Sequence, residues 1–443
     1  MTLETNSTRR PRIVIVGGGA GGLELATALG NSLGKRQQAE VVLVDCSHIH
    51  IWKPLLHEVA AGTLDSNDDE LSYLAHARQN HFRFSLGRMA GLDRQQKQVH
   101  LAAIVNPAGN VVVPERTQAY DILVIAVGSI CNDFGIPGVA ENCLFLDTTE
   151  QAKQFQNRLL EAYMRVHAHG GLCEQGELDV AIVGGGATGI ELSAQLHQAT
   201  RLLNSYGLDN VKPSDIKLHL IEASPKLLPE LPDRLSLATL AQLKAIGVIT
   251  HLGERVVEIN AEGVKTEAGS FIPAAQKVWA AGIKAPDFLK DIAGLETNRI
   301  NQLVVRSTLQ TTRDDDIFAI GDCAACAWPE KSPTATVPPR AQSAHQMASL
   351  ARKNIESRLK GQALASYRYK DYGSLVSLGK YSTVGNLMGD LLGTVMIEGM
   401  MARLVYLSLY KMHQFALFGP FRVGLLMIAD FFRRRLRPKI KLH

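Results

Sequence analysis

Long apolar runs are missing from this 443-residue chain. No stretch of about 18 consecutive apolar residues occurs, so a membrane-spanning helix is not expected. The segment Met1–Pro11 is short and polar and lacks an apolar h-region, so a secretory signal peptide is not expected either. Cysteine is sparse. The six, Cys46, Cys131, Cys143, Cys173, Cys323 and Cys326, are scattered, which argues against a disulfide framework and fits a reducing cytosol. Acid is nearly absent from the C-terminal end. From Met401 to His443, nine Lys/Arg stand against Asp430 alone. That segment carries +8, so the preceding 400 residues sum to −4 and the basic charge belongs to the tail.

Glycine, by contrast, is plentiful and placed in a pattern. The apolar run Ile13–Val16 leads into Gly17, Gly19 and Gly22, a G-x-G-x-x-G element followed by helix-compatible residues through Leu29. The first glycine makes a tight turn, the second admits a pyrophosphate to the backbone, and the third lets helix pack on strand. The helix start then offers free N–H groups and partial positive charge to phosphate. One such element is a weak signal. A second, Val180–Val183 into Gly184, Gly186 and Gly189, stands 167 positions further on.

Each unit has a following strand that ends in an acid. Val41–Val44 runs into Asp45, 23 residues past Gly22, where a ribose-binding carboxylate belongs. Lys217–Ile221 runs into Glu222, 33 residues past Gly189, and an inserted loop over 201–215 would account for the excess. A carboxylate here favours NADH over NADPH because it repels a 2′-phosphate; Lys226 weakens that preference. Later strands return to each unit, Tyr120–Val127 into Gly128 and Val278–Ala281 into Gly282. A third late strand, over 311–320, ends Gly321-Asp322. Residues near Gln98–Leu101 read as an antiparallel excursion, and 148–169 as an amphipathic helix.

The expected fold is α/β: two Rossmann-like dinucleotide-binding domains, the second inserted in the first, and a C-terminal amphipathic region. Residues 1–147 and 300–365 would form the first domain, 148–299 the second, and 366–443 the membrane-association region. In the loop 48–62, His48, His50, His57 and Glu58 match no standard metal spacing, so no metal is expected; Lys53 is available to an anionic group. Cys323-x-x-Cys326 reads as packed thiols at a helix start, with a metal or accessory redox role as the alternative. Apolar segments over 404–432, interrupted by Lys411 and Arg422 and ending in Arg433–Arg435, suggest helices lying in an anionic lipid interface. The alternative, a core helix with a nucleic-acid-binding tail, is disfavoured, and nucleic acid is not expected as a partner.

The paired Gly units and the Gly-Asp strand resemble the two-dinucleotide flavoprotein superfamily. Narrower pieces resemble the type II NADH:quinone oxidoreductases: Ala341-Gln342-Ser343-Ala344-His345-Gln346 as an A-Q-x-A-x-Q element, Trp52–Ala60, Glu191, Lys380 in Leu378-Gly379-Lys380, and Tyr410–Gln414 onwards. That resemblance implies FAD on Gly17, Gly18, Gly19, Ala20, Gly22, Asp45, Lys53, Gly128, Asp322 and Ala341, with Asp322 on the ribityl chain. It implies NADH on Gly184, Gly186, Thr188, Gly189, Glu222 and Gly282. Glu191 would lie near the nicotinamide in the first helical turn. Gln342, His345 and Gln346 would face a quinone, and Lys380 would lie near the flavin or the quinone unless it is a plain surface lysine. A peripheral protein on the cytoplasmic face of a bacterial inner membrane follows, with membrane quinone as partner; oligomeric state, a homodimer included, stays open. Two other readings compete. A sulfide:quinone oxidoreductase would need a cysteine pair near the flavin and no NADH site. A redox sensor would bind NADH without turning over quinone.

Overall fold

The computed structural model describes residues 9–64, 70–106, 108–171, 176–212, 215–377, 383–389, 393–398 and 400–436. Lys380, Cys173, Arg437, Lys439 and Lys441 lie outside the described residues.

Two parallel sheets carry the molecule. The elements used below are β1 (Arg12–Val16), α1 (Ala20–Leu29), β2 (Glu40–Asp45), α2 (Leu56–Ala60), β3 (Arg83–Leu86), β4 (Ile122–Ile125), α3 (Thr149–Ala168), β5 (Val180–Val183), α4 (Ala187–Ser205), β6 (Leu218–Glu222), β7 (Gln276–Trp279), β8 (Asp314–Ala319), α5 (Ala341–Leu359) and α6 (Met400–Leu436). In the eight-stranded sheet the order β8-β4-β1-β2-β3 is parallel throughout. Three further strands from 303–326 extend its β8 edge. In the five-stranded sheet, Leu144–Phe145, β7, β5, β6 and Ile249–Leu252 are likewise all parallel. The central strands are covered on both faces, so they read as continuous apolar runs rather than as alternation. Val14, Ile15, Leu123, Val180 and Ile182 have no exposed surface.

Both Gly-bearing strands sit centrally, each between the acid-ending strand and the returning strand. The expected antiparallel excursion is a three-stranded sheet that includes Gln98–Leu101. α3 starts with a capping box, the Thr148 hydroxyl accepting from Gln151 N and the Gln151 side chain reciprocating. Its apolar stripe of Phe155, Leu159, Ala162, Tyr163 and Val166 is buried in the core of the second sheet. Two local expectations are revised. α4 continues to Ser205, so the extra length before β6 is partly helix and not simply an inserted loop. Cys323 closes a 3-10 turn and Cys326 ends a short strand, so neither begins a helix.

The C-terminal helix also departs from expectation. Tyr410–Ala429 is long and apolar enough to cross a membrane by length and composition, with a mean hydropathy of 1.2. Counting charge-free runs missed it because Lys411 and Arg422 interrupt an otherwise apolar window. The helix is broken at Gly419 (φ 74°, ψ 166°), where Pro420 follows and lacks the N–H that a continuous ladder needs.

Phe155→Ala is expected to destabilise the protein by roughly 3–5 kcal/mol, a large-to-small change at a site with no exposed surface. Thr148→Ala should cost only about 1 kcal/mol, the worth of a cap. Urea unfolding of both variants checks the ranking.

Candidate active site

The two glycine turns are built alike. Gly17 has φ +103° and Gly184 +116°, conformations that an L side chain rarely adopts. A Cβ at Gly22 would stand 1.8 Å from the Gly17 carbonyl oxygen, and one at Gly189 would stand 2.0 Å from that of Gly184. Only glycine therefore lets each helix close onto its turn. At Gly19 and Gly186, the N-caps of α1 and α4, an added Cβ would meet nothing within 4 Å, and neither helix start has a side-chain cap. That open space, faced by uncapped helix N–H groups, suits a pyrophosphate.

The strand-end carboxylates brace both turns. Asp45 accepts from Gly18 N at 2.6 Å and from Ser47 N at 2.8 Å. Glu222 accepts from Gly185 N at 2.6 Å and from Ser224 N at 2.7 Å. Burial raises the Asp45 carboxyl, and these N–H groups pull against it. Each carboxylate oxygen retains a second acceptor position for a ribose hydroxyl. Lys226 donates to Asp233 at 2.6 Å and to the Leu231 carbonyl at 3.1 Å, so its charge is turned to those partners.

One cleft of about 2200 Å³ runs past both turns. That is well beyond a single small-molecule pocket of roughly 300–1,000 Å³ and leaves space for two large ligands. Its lining takes in Gly17, Gly19, Ala20, Gly22, Asp45, Lys53, Gly128, Asp322 and Ala341 from the first set of expected residues. From the second it takes in Gly184, Gly186, Thr188, Glu222 and Gly282, and it adds Glu191, Gln342, His345 and Gln346. Gly18 and Gly189 lie behind the wall, where they hold the turns together. Asp322 follows Gly321 (φ +73°) and accepts from the Ser129 hydroxyl at 2.8 Å; burial raises its carboxyl.

Several side chains are placed otherwise than expected. Lys53 donates to the Ser129 carbonyl at 2.8 Å and to Asp147 at 2.9 Å, fastening the 52–60 segment to the start of the second unit. Glu191 occupies the second turn of α4, because the helix begins at Ala187. It is buried, 3.6 Å from His57 Nδ1 of α2. Gln346 grips the backbone of Lys370, donating to its carbonyl at 2.8 Å and accepting from its N–H at 3.1 Å. Gln342 accepts from the Tyr369 hydroxyl at 3.0 Å. Cys323 and Cys326 are free thiols that burial pushes up to about 12 and about 11, so they are held protonated.

Sequence reasoning missed the buried charge around α1. Glu24 lies between two cleft-lining histidines, 2.5 Å from His345 Nδ1 and 2.6 Å from His413 Nδ1. His413 Nε2 is 3.0 Å from His50 Nε2, and His50 Nδ1 is 2.9 Å from the Gly18 carbonyl. Trp52 packs on His413 with ring centroids 4.2 Å apart. The available signals were an acid on an otherwise apolar helix face and a single histidine in an apolar C-terminal segment.

Two cofactor cradles opening on one cleft, with buried acids and histidines between them, define a two-dinucleotide flavin-dependent oxidoreductase. The profile of the pyridine nucleotide-disulphide oxidoreductase family matches residues 11–348. A type II NADH:quinone oxidoreductase of Haemophilus influenzae is 46% identical, over 97% of this chain and 99% of its own. One from Staphylococcus aureus is 27% identical, over 86% and 90%. Among solved structures, NDH2 of Plasmodium falciparum in complex with NADH superposes with a TM-score of 0.79 at 18% identity, covering 98% of this chain and all of that one. The sulfide:quinone oxidoreductase of Aquifex aeolicus superposes with a TM-score of 0.70 at 18% identity, covering 92% and 91%. This chain belongs to the type II NADH:quinone oxidoreductase family.

Burial lowers His50 to about 3 and both His57 and His76 to about 4. Neutral when folded, these histidines bind protons on unfolding. Their contribution is present above the unfolded value of 6.5 and is lost as pH falls through the folded values. His345 is raised and acts in the opposite direction. Thermal melts taken from about pH 7.5 down to about pH 5 should therefore show falling stability.

Proposed function

We propose that this chain is a peripheral membrane enzyme that passes electrons from NADH to a membrane quinone through FAD, without pumping protons. The observation that carries the reading is the single cleft shared by two complete glycine–carboxylate cradles. The first cradle, with Gly17, Gly19, Asp45, Gly128, Asp322 and Ala341, is suited to the permanent FAD. When bound, FAD takes a hydride and returns two electrons. The protein's part is to bind, orient and exclude water. The Gly17–Gly22 turn presents uncapped N–H groups to the pyrophosphate, Asp45 takes a ribose, and Asp322 takes the polyol chain. The second cradle takes NADH, with Glu222 on the adenine-side ribose and Gly184, Gly186, Thr188 and Gly282 lining the path to the flavin.

Glu191, buried against His57, would border the meeting point of the two ligands. Gln346 and Gln342 would shape the acceptor side; their amides fix the 369–370 segment against α5. Lys380 is proposed near the same side on the resemblance alone. The cysteine requirement of sulfide oxidation is not met by Cys323 and Cys326, whose thiols are held protonated.

Membrane attachment would come from α6. Its residues Phe421, Leu425, Met427 and Ile428 are exposed, whereas Leu417 and Val423 are buried against the body. His413 is hydrogen-bonded to Glu24 at 2.6 Å, which ties the first half of this helix to the protein body. An apolar face lying in the interface fits that constraint, and each nearby Lys/Arg would add about 1 kcal/mol on anionic lipid. Quinone would enter from this face and NADH from the aqueous, cytoplasmic side.

Purified protein with FAD should bleach rapidly with NADH and recover colour with a short-chain quinone, and sulfide should do nothing. Bleaching without quinone turnover would sink the reading. Glu222→Ala should raise KM for NADH roughly tenfold, a loss of about 1.4 kcal/mol, with KM for quinone unchanged. A chain ending at Arg403 should leave the membrane fraction on sedimentation; retention there would show that α6 is not the anchor.

A further inference from the structure

Three buried titratable side chains stand behind one half-exposed histidine at the cleft. Glu24 and His413 are nearly closed to solvent, with 6% and 3% of their side-chain surface exposed, whereas His345 keeps 35%. The hydrogen-bond roles in this string can be worked out from one end. The Gly18 carbonyl only accepts, so His50 Nδ1 carries the proton between them. Burial, with the His413 charge beside it, keeps His50 neutral, so its Nε2 accepts and His413 Nε2 must donate. Burial pushes the Glu24 carboxyl up, but the hydrogen bonds and charge of His345 and His413 outweigh it and leave it below the usual range. Glu24 is then a carboxylate that accepts from His413 Nδ1 and from His345 Nδ1. Both nitrogens of His413 are thus engaged, Nδ1 with Glu24 and Nε2 with His50. On His345, Nδ1 is committed to Glu24, so Nε2 is the nitrogen left for a partner in the cleft.

We propose that His345 is the proton donor of the acceptor half-reaction, oriented through Nδ1 by Glu24, with Glu24 itself held by His413 of the C-terminal helix. This rests on the oxidoreductase reading above. The balance is NADH + H⁺ + quinone giving NAD⁺ + quinol. The electron pair and one proton come with the hydride. The second proton passes from His345 Nε2 to a quinone oxygen, leaving a neutral ring still hydrogen-bonded through Nδ1 to Glu24. Solvent then returns a proton to Nε2 at the ring's exposed edge. The arrangement follows a general rule of acid–base catalysis, in which a buried carboxylate on one imidazole nitrogen sets the tautomer and basicity of the other. Glu24 is a positioning residue, because it reaches the cleft chemistry only through His345.

The charged and titratable groups around the unit come from several elements. α1 gives Glu24, and the Ile49–His50 strand gives His50. The Tyr73–Gln79 helix gives His76, bonded to Thr27 of α1 at 2.8 Å. α6 gives His413, Lys411 bonded to Gln414, and Arg422 bonded to Gln79. Arg340, beside the start of α5, is paired with Asp371 at 3.8 Å. Of these, Glu24 supplies the main opposing charge on His345, and its hydrogen bond is the leading cause that raises the imidazole above the ordinary value.

The tests separate this assignment from the reading beneath it. Stopped-flow bleaching by NADH should be unaffected in Glu24→Gln and in His345→Gln. Reoxidation by a short-chain quinone should slow about 100-fold in His345→Gln, the usual scale for a lost general acid. In the wild type the reoxidation rate should fall as pH rises through the raised His345 value, and in Glu24→Gln this fall should move to lower pH. Should Glu24→Gln not fold, NMR titration of histidine-labelled holoenzyme, assigned with His345→Gln, gives a readout independent of turnover. The His345 ring should titrate above 6.5, the ordinary value. A His345 midpoint at or below that value overturns the proposal. So does an identical pH dependence of reoxidation in wild type and Glu24→Gln. Wild-type protein that bleaches but is never reoxidised by quinone instead overturns the oxidoreductase reading.

Discussion

A carboxylate at the end of one strand holds the backbone N–H of a glycine turn at the end of its neighbour. This contact occurs twice, Asp45 on Gly18 and Glu222 on Gly185, at 2.6 Å in both. It fixes a turn whose φ no side chain would favour, and the turn in turn aims an uncapped helix start into the cleft. A charge-assisted bond of this kind is strong where partly buried, and it leaves acceptor capacity for a ribose. The positions of the cleft walls follow from these two braces. Asp322 and Gly128 complete the first wall because β4 and β8 pair beside β1, bringing residues more than a hundred positions apart to one sheet edge.

A second constraint joins the C-terminal helix to this frame. Removing one partner of a buried ion pair commonly costs 3–5 kcal/mol, because the other is left as an uncompensated charge. The Glu24–His413 contact joins α6 to α1, where loss of either partner would leave the other buried and unpaired, and the Trp52–His413 stacking adds apolar contact. The same atoms that dock the apolar helix set the charge beside His345. The docking of α6 and the hydrogen bond to His345 thus share one carboxyl group, that of Glu24.

Local pattern carries far in this protein. The two glycine turns, the strand-end acids, the returning strands and the helix over 149–168 were all legible, because each is set by residues near in sequence. The difficulties arose where window and neighbour mattered. The helix over 410–429 escaped a count of charge-free runs although its average apolarity is sufficient. Glu191 sits in the second turn, not the first, because the helix starts inside the Gly motif, at Ala187. Lys53 and Gln346 line the cleft and also bond within the protein, to Asp147 and to the Lys370 backbone, partners that no local pattern relates to them.

The sequence by itself determined which strands run into a glycine turn and which end in an acid, because strand, turn and helix propensities act over a few residues. The tertiary structure alone decided what stands next to the cleft. Glu24 and His413 are 389 positions apart, and no local propensity relates them. They meet because helix α6 folds back onto α1 and buries both polar side chains, and a buried polar group requires a hydrogen-bond partner.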